Sequence, residues 1–398
     1  MSVSKAALRK ASRPAGPPLR IPDGTAQIVD LPAARELEAW PRLWGGQRHD
    51  DRFFEIVDGT SAQGFDHRYL VLRDSAGAVR TIQPFFVCSQ NLLQGIRGRL
   101  GTLFSRLDRL APGLAEFRTL MVGSPVGEGV LAAGPGDRAW CARMLVRALP
   151  RVARRLGATI IVLKEFSSEL RGDLAPFAHH GYARLASLPY VTLNLDFKNF
   201  DDHLATLSKN ARKDFRRKFR AEKEYPPLSM EVTTDISSRV DDLYPLYLQV
   251  YERASLRFEK LTPDFFRRIG REMPDRARFF IWSMNGKPVG FYSCLLHDGT
   301  LWIDYMGMDY DVALELHLYF VMKRDALNWG CSHGVRRYCG GPLNYDPKLH
   351  LGCRLKPMDL YASHVNPLLN GILTRLSPWL SPARYEPILR RFPNAGEM

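Results

Sequence analysis

Leu301-Trp302-Ile303-Asp304-Tyr305 is the stretch from which the fold is read. An apolar run ends in an acid and a phenol, and the turn-like Gly307-Met308-Asp309 follows. A helical pattern runs from about Val312 to Trp329, and a second strand pattern from Arg336 to Cys339. Residues 340–352 close the unit as a loop with Gly340, Gly341, Pro342, Asn344, Tyr345 and Lys348 in it. Strand, helix and strand make a βαβ-type unit. Ligands in open α/β sheets settle beyond the carboxyl ends of the strands, which is where Asp304, Tyr305, Asp309 and Lys348 fall. Strand alternation predicts that Asp304 and Tyr305 point to opposite faces.

Upstream, Phe279 to Met284 and Val289 to Leu296 flank Asn285-Gly286, and Asp298-Gly299 precedes Leu301. Both dipeptides favour the tight turns of antiparallel hairpins, so a meander leads into the βαβ unit. Thr262-Pro263 reads as the start of a helix through Arg271, after a strand at Ser229 to Val232 and a helix from Val240 to Arg257. Phe200 to Tyr225 is a helical block that Pro226-Pro227 ends. Its seam is Leu204, Leu207, Ala211, Phe215 and Phe219, and its other faces carry Arg212, Lys213 and six more cations. The first half, Thr25 to Asp196, follows a similar order of strand, helices, meander, helix and strand, with a helical stretch at Leu92 to Leu110. There Gly123-Ser124-Pro125-Val126-Gly127-Glu128-Gly129 lies between a strand and a helix, as a phosphate-cradling loop would. It lacks the Lys-Ser/Thr of a Walker motif.

A chain of 398 residues exceeds one ordinary core, so two domains are expected. Hydrophobic content of 45% and charged content of 25% describe a globular protein, and no apolar run reaches the length of a membrane span. Ser2 to Arg20 is basic and rich in Ala, Ser and Pro, without the apolar core of a secretory signal. It reads as a disordered leader, with an organelle transit peptide as the alternative. The six cysteines are scattered without a CxxC, so neither a metal site nor a disulfide framework is expected, and the location is cytoplasmic. A formal charge of +14 favours anionic partners: nucleic acid, phosphorylated cofactors or acidic membrane. The expected organisation is a disordered basic leader (1–24), an N-terminal domain (25–197), a basic linking helix (198–227), a C-terminal domain (228–365) and an amphipathic tail (366–398).

Four segments carry a family resemblance. Leu207-Ser208-Lys209-Asn210-Ala211-Arg212-Lys213-Asp214-Phe215-Arg216-Arg217 resembles the basic linking helix of the double-domain branch of the GNAT superfamily, which includes FemAB-like and CelD-like proteins. Phe258 to Phe266 is similar to the segment before their second meander, and Asn285-Gly286 with Pro288-Val289-Gly290 to their hairpin. Tyr345 to Gly352 is similar to their C-terminal loop. The resemblance covers Tyr190 to His364. It implies an α/β (α+β) fold of two GNAT-like domains, each a mixed, largely antiparallel sheet flanked by helices. It further implies direct acyl transfer with no tightly bound cofactor, acyl-CoA, an acyl carrier or aminoacyl-tRNA being the co-substrate. The acceptor is then an amine or hydroxyl of a cell-envelope, polysaccharide or lipid precursor. One departure is plain: the glycine-rich pyrophosphate loop of simple acetyl-CoA-dependent members is replaced by Met308-Asp309-Tyr310-Asp311.

The candidate catalytic residues are Asp304 as general base, Tyr305 as proton donor to the leaving group, and Glu315 with Tyr319, four residues apart on one helical face. Each also has a plain structural reading: a strand-end pair bonded to loops, and an acid favoured in the first helical turn. Lys348, Asn344, Arg212 and Lys213 are the candidate donor- or phosphate-binding residues. A solvated basic face and a tRNA contact both fit the linking helix. The tail, with Leu368, Leu369, Ile372, Leu373, Leu376, Trp379 and Leu380 among arginines, either docks on the second domain or lies at the inner membrane face. The alternative to an enzyme is a non-catalytic basic module on the same scaffold, binding tRNA or anionic membrane.

Overall fold

The computed structural model describes residues 16–61, 64–91 and 116–398. The helical stretch expected at Leu92 to Leu110 and most of the leader lie outside them. Among the described residues fifteen strands form two sheets. The first contains β1 (Leu19–Ile21), β2 (Gly24–Val29), β3 (Asp66–Asp74), β4 (Val79–Asn91), β5 (Glu116–Val122), β6 (Ile160–Ser167) and β7 (Ala183–Ala186). The second contains β8 (Tyr190–Asn194), β9 (Leu228–Thr233), β10 (Ala277–Met284), β11 (Lys287–His297), β12 (Thr300–Met308), β13 (Arg337–Gly340) and β14 (Arg354–Lys356). The last strand, β15 (Met358–His364), returns to the first sheet. Sheet order is β1-β2-β3-β4-β5-β6-β15-β7 and β14-β8-β13-β12-β11-β10-β9. All neighbours are antiparallel except β5 with β6 and β12 with β13.

These sheets correct the expected domain limits. Each half lends a strand to the other: β8 sits between β13 and β14, and β15 between β6 and β7. A cut near 197 would separate an interior strand from each sheet, β8 from the second and β15 from the first. The leader is corrected as well, since β1 pairs with β2 from Leu19 onward. The halves also share one apolar core, in which Trp44, Phe53 and Phe54 meet Phe265, Phe266 and Phe291.

The helices that matter for the site are α1 (Asp51–Thr60), α2 (Arg138–Leu156), α3 (Phe200–Thr206), α4 (Lys209–Ala221), α5 (Val240–Arg253), α6 (Pro263–Glu272), α7 (Tyr310–Ala313), α8 (Leu318–Ser332), α9 (Tyr345–His350) and α10 (Pro367–Leu376). Local chemistry sets several ends. Gly157 stops α2 with φ of 69°, and the Thr262 side chain caps α6 by accepting from the Phe265 amide. The expected linking helix is two helices, because Leu207 takes an extended conformation and Ser208 caps a new start. The expected Val312 to Trp329 helix is also broken. His317, at φ 52°, starts α8 afresh after the short α7. Residues 345–350, expected as loop, form α9.

The tail divides. Leu389 and Phe392 are buried in the core of the second sheet, and the Asn394 amide bonds both backbone groups of Leu355 at 2.9 Å. Helix α10 rests through Leu373 on the face of the first sheet opposite α2, while Leu368, Leu369, Ile372, Leu376 and Trp379 are exposed.

Candidate active site

β12 and β13 run side by side only over Thr300–Ile303 and Arg337–Gly340. Beyond that point β12 continues to Met308 against β11, while the chain after Gly340 turns away through Leu343 and Asn344, both left-handed at φ 67° and 47°. A parallel pair that parts this way leaves backbone groups and side chains facing a gap. A cavity of about 650 Å³ occupies it and extends to the first domain. Its lining comes from both faces of the second sheet. Tyr247, Glu259, Phe265 and Tyr305 belong to the α5–α6 side, and Tyr292, Tyr319, Lys323 and Tyr338 to the α8 side. His49, Lys164 and Glu165 enter from the first domain.

Asp304 and Tyr305 share the cavity instead of pointing to opposite faces. Ser293 pairs with Tyr305 and Cys294 with Ile303, so Asp304 is the extra residue of a β-bulge. The Asp304 carboxylate accepts from Arg48 Nη1 at 2.6 Å. Arg48 also bonds Glu128 at 3.4 Å, and Lys356 bonds Glu128 at 3.0 Å. Burial raises the Asp304 pKa above the ordinary carboxylate value, against the pull of Arg48. Burial works against the Arg48 cation too, yet Asp304 and Glu128 outweigh it and hold its pKa above the usual value. Asp304 is thus held inside an ion-pair network.

The Tyr305 hydroxyl donates to Glu259 Oε1 at 2.6 Å. Burial raises the Glu259 pKa, partly offset by nearby Lys164 and by this hydrogen bond. It raises the Tyr305 phenol well above its usual value as well, with the Glu259 charge adding to it. A partly buried carboxylate whose pKa is moved upward, bonded to a phenol in a cleft, is the arrangement a general base requires. Glu259 lies in the Phe258 to Phe266 segment, between Phe258 and Lys260, and nothing local marked it as facing the cavity.

Lys348 is buried beneath the loop that opens the gap. Its ammonium donates to the carbonyls of Gly341 and Leu343, each at 2.6 Å, and so clamps the left-handed turn. Burial lowers its pKa to about 8. Asn344 and Tyr319 line the cavity. Glu315 does not: the break before α8 turns it outward, where it accepts from the Tyr225 hydroxyl at 2.8 Å. Arg212 and Lys213 also fall outside. Arg212 donates to the Ala205 and Leu207 carbonyls at the end of α3, and Lys213 is exposed.

The Gly123–Gly129 loop is corrected from a phosphate cradle to a plug. Three of its amides are engaged: Gly123 N on the Pro84 carbonyl, Val126 N on Ser124 Oγ and Gly129 N on the Glu165 carbonyl. Gly129 bridges Phe166 in parallel, closing the gap in the first sheet that corresponds to the open one in the second. Sequence reading missed Arg48, His49, Lys164 and Lys323. His49 stacks on Phe53 at 3.8 Å, and burial with the Arg48, Arg276 and Lys164 charges keeps it neutral. Lys323 lies one helical turn beyond Tyr319 and was within reach of the same spacing argument. Among the described residues no cluster of His, Cys, Asp and Glu is placed to hold a metal.

A family model, the acetyltransferase (GNAT) domain, matches residues 209–348. No curated protein matches the chain. Among solved structures, the C-terminal domain of a putative lysylphosphatidylglycerol synthetase from Agrobacterium fabrum is 14% identical, with TM-score 0.50, 88% of this chain and 97% of that one covered. A tandem GNAT protein from the clavulanic acid biosynthesis pathway is 14% identical at TM-score 0.49, covering 86% and 99%. FemX is 10% identical at TM-score 0.49, covering 82% and 95%. The fold is that of a double-domain GNAT-like protein, mixed α/β with two mostly antiparallel sheets flanked by helices.

Proposed function

We propose that the protein is an acyltransferase that moves an acyl group from a thioester onto an amine or hydroxyl, with its active cleft in the second domain. The observation that carries this reading is the cavity passing between β12 and β13 to both faces of the sheet. A thioester arm threaded through the gap presents its carbonyl beside Tyr305, while an acceptor reaches it from the first-domain side. The acceptor N–H or O–H gives its proton to the Tyr305 oxygen as Tyr305 passes its own to Glu259. The nucleophile attacks the carbonyl, the carbon–sulfur bond breaks, and the relay runs back to protonate the leaving thiolate. No covalent enzyme intermediate is needed. Arg253 and Arg257, exposed at the mouth, suit the phosphates of an acyl-CoA. A carrier thioester or aminoacyl-tRNA is the alternative donor.

The test is thiol release from a series of acyl-CoA thioesters offered with amine and hydroxyl acceptors. Acceptor-dependent thiol release is expected. Saturable thioester binding without release would favour the non-catalytic module instead.

We further propose that the acceptor is a lipid or lipid-linked envelope precursor met at an anionic membrane. Leu368 is 81% exposed and Trp379 57% on α10 and its following turn, with Arg375 exposed on the same helix and the exposed Arg384 stacked over Trp379 at 4.6 Å. An apolar stripe rimmed by arginines suits an anionic bilayer surface. Leu373 of this helix shares an apolar cluster with Phe258 of the cavity wall, so docking there would bring the mouth close to the lipid. No described helix is long and apolar enough to cross a membrane. Ile372→Asp is expected to cut cosedimentation with phosphatidylglycerol vesicles by about 10-fold or more, with the fold unchanged. Equal cosedimentation of the variant, or equal binding to pure phosphatidylcholine vesicles, would refute the anionic-membrane surface.

A further inference from the structure

On the α8 side of the sheet the cavity ends in a wall of hydrogen-bond donors. Lys323 is 6% exposed there, and its Nζ donates to the Tyr338 oxygen at 2.8 Å. Among the described residues no carboxylate pairs with it. The rings of Tyr338, Tyr292 and Tyr319 stand 4.3, 5.1 and 5.7 Å from the ammonium. Among the described residues the buried Tyr292 hydroxyl has no partner. Tyr338 uses its oxygen to accept from Lys323, which leaves its own proton to give. Lys348 adds a second buried cation, and all of these groups face the same cavity.

Buried donors without acceptors are costly, and a buried ammonium without an anion more so. A stable structure keeps such a set where a ligand completes it. We infer that this end of the cavity binds an anionic oxygen group of a substrate, held by the Lys323 ammonium and the hydroxyls of Tyr292 and Tyr338. A carboxylate and a phosphate share that chemistry. The inference rests on the acyl-transfer reading only for its role: the thioester or the acceptor that reaches this end carries the anion.

The ionisation of the pocket supports the geometry. Burial lowers the Lys323 pKa to about 7, with the Lys348 charge adding to the shift. The other titratable groups around it are the phenols of Tyr292, Tyr319 and Tyr338 and the thiols of Cys294 and Cys353. All are raised by burial and stay neutral near pH 8. Anion binding restores the ammonium, so above neutrality a proton is taken up with the ligand.

Calorimetric titration of the full chain with sodium sulfate and with sodium acetate, at pH 8.5 and constant ionic strength in buffers of different ionisation enthalpy, tests this. One of the two anions is expected to saturate with uptake approaching one proton, which also assigns the tetrahedral or the planar class. Lys323→Met keeps the side-chain volume and removes the buried charge. It is expected to abolish proton uptake and weaken binding about 10-fold or more. Tyr292→Phe should weaken binding about 3-fold or more and leave the uptake intact. Absence of saturation by either anion, or unchanged binding in a folded Lys323→Met, would overturn the inference. The titration needs no turnover. Anion binding without thiol release would sink the acyl-transfer reading alone, and thiol release without anion binding would sink this one alone.

Discussion

Glu259→Gln is expected to lower kcat by about 10²- to 10⁴-fold with little change in KM, the usual range for losing a positioned general base. Glutamine keeps the side-chain shape, and its carbonyl still accepts from Tyr305, but it cannot hold the transferred proton. Tyr305→Phe removes the other member of the relay and should cost a similar factor. Because the two act as one unit, the double variant should be little worse than either single one. The pH profile separates proton transfer from a merely structural role. Burial raises the Glu259 pKa, so the base is lost as pH falls through a value above that of an ordinary glutamate, near 4.3. The wild type should therefore show an acid limb in kcat/KM that disappears in the residual activity of Glu259→Gln. Full activity in both single variants would end the assignment of the base.

Much of the second domain was legible because local chemistry sets it. Asn285-Gly286 and Asp298-Gly299 take the paired left-handed conformations that tight hairpins demand, with φ of 51° and 76°, then 44° and 64°. That fixed the β10–β11–β12 meander and hence the strand end where Asp304 and Tyr305 sit. Lys348 could be placed beside the gap because the turn after β13 carries glycine, proline and asparagine. What was not legible depends on register or on distance along the chain. Alternation sent Asp304 and Tyr305 to opposite faces, and only the pairing with β11 reveals the bulge that brings them together. Helical spacing tied Glu315 to Tyr319, but His317 breaks the helix between them. The exchange of β8 and β15 leaves no local trace, since neither segment's own residues say which sheet it pairs with. Arg48 stands 256 residues from the Asp304 it binds, and no periodicity links the two.

The second large effect should fall on stability, at that same pair. Arg48 is 6% exposed and joins Asp304 of the bulge to Glu128 of the plug loop, so its removal leaves two carboxylates in a buried site. Arg48→Met is therefore expected to cost about 3–5 kcal/mol at pH 8, the range for breaking one side of a buried ion pair. The sign of its pH dependence follows from the carboxyls left behind. Without the guanidinium, burial and the Glu128 charge act on Asp304 unopposed and raise its pKa further above the unfolded value. A carboxyl raised in the folded state is a penalty above its folded pKa, and the penalty fades as pH falls and the group is protonated. Glu128 now has a lowered pKa, drawn down by Arg48 and Lys356 against burial, and it loses part of that stabilisation in the variant. The deficit of Arg48→Met relative to wild type should thus shrink between pH 8 and pH 5, as read from urea unfolding midpoints. Adding Asp304→Asn should recover part of it at pH 8, because a neutral amide no longer requires the cation. An Arg48→Met protein as stable as wild type at pH 8 would mean that Asp304 is solvated, and the ion-pair account of this cavity wall would fail.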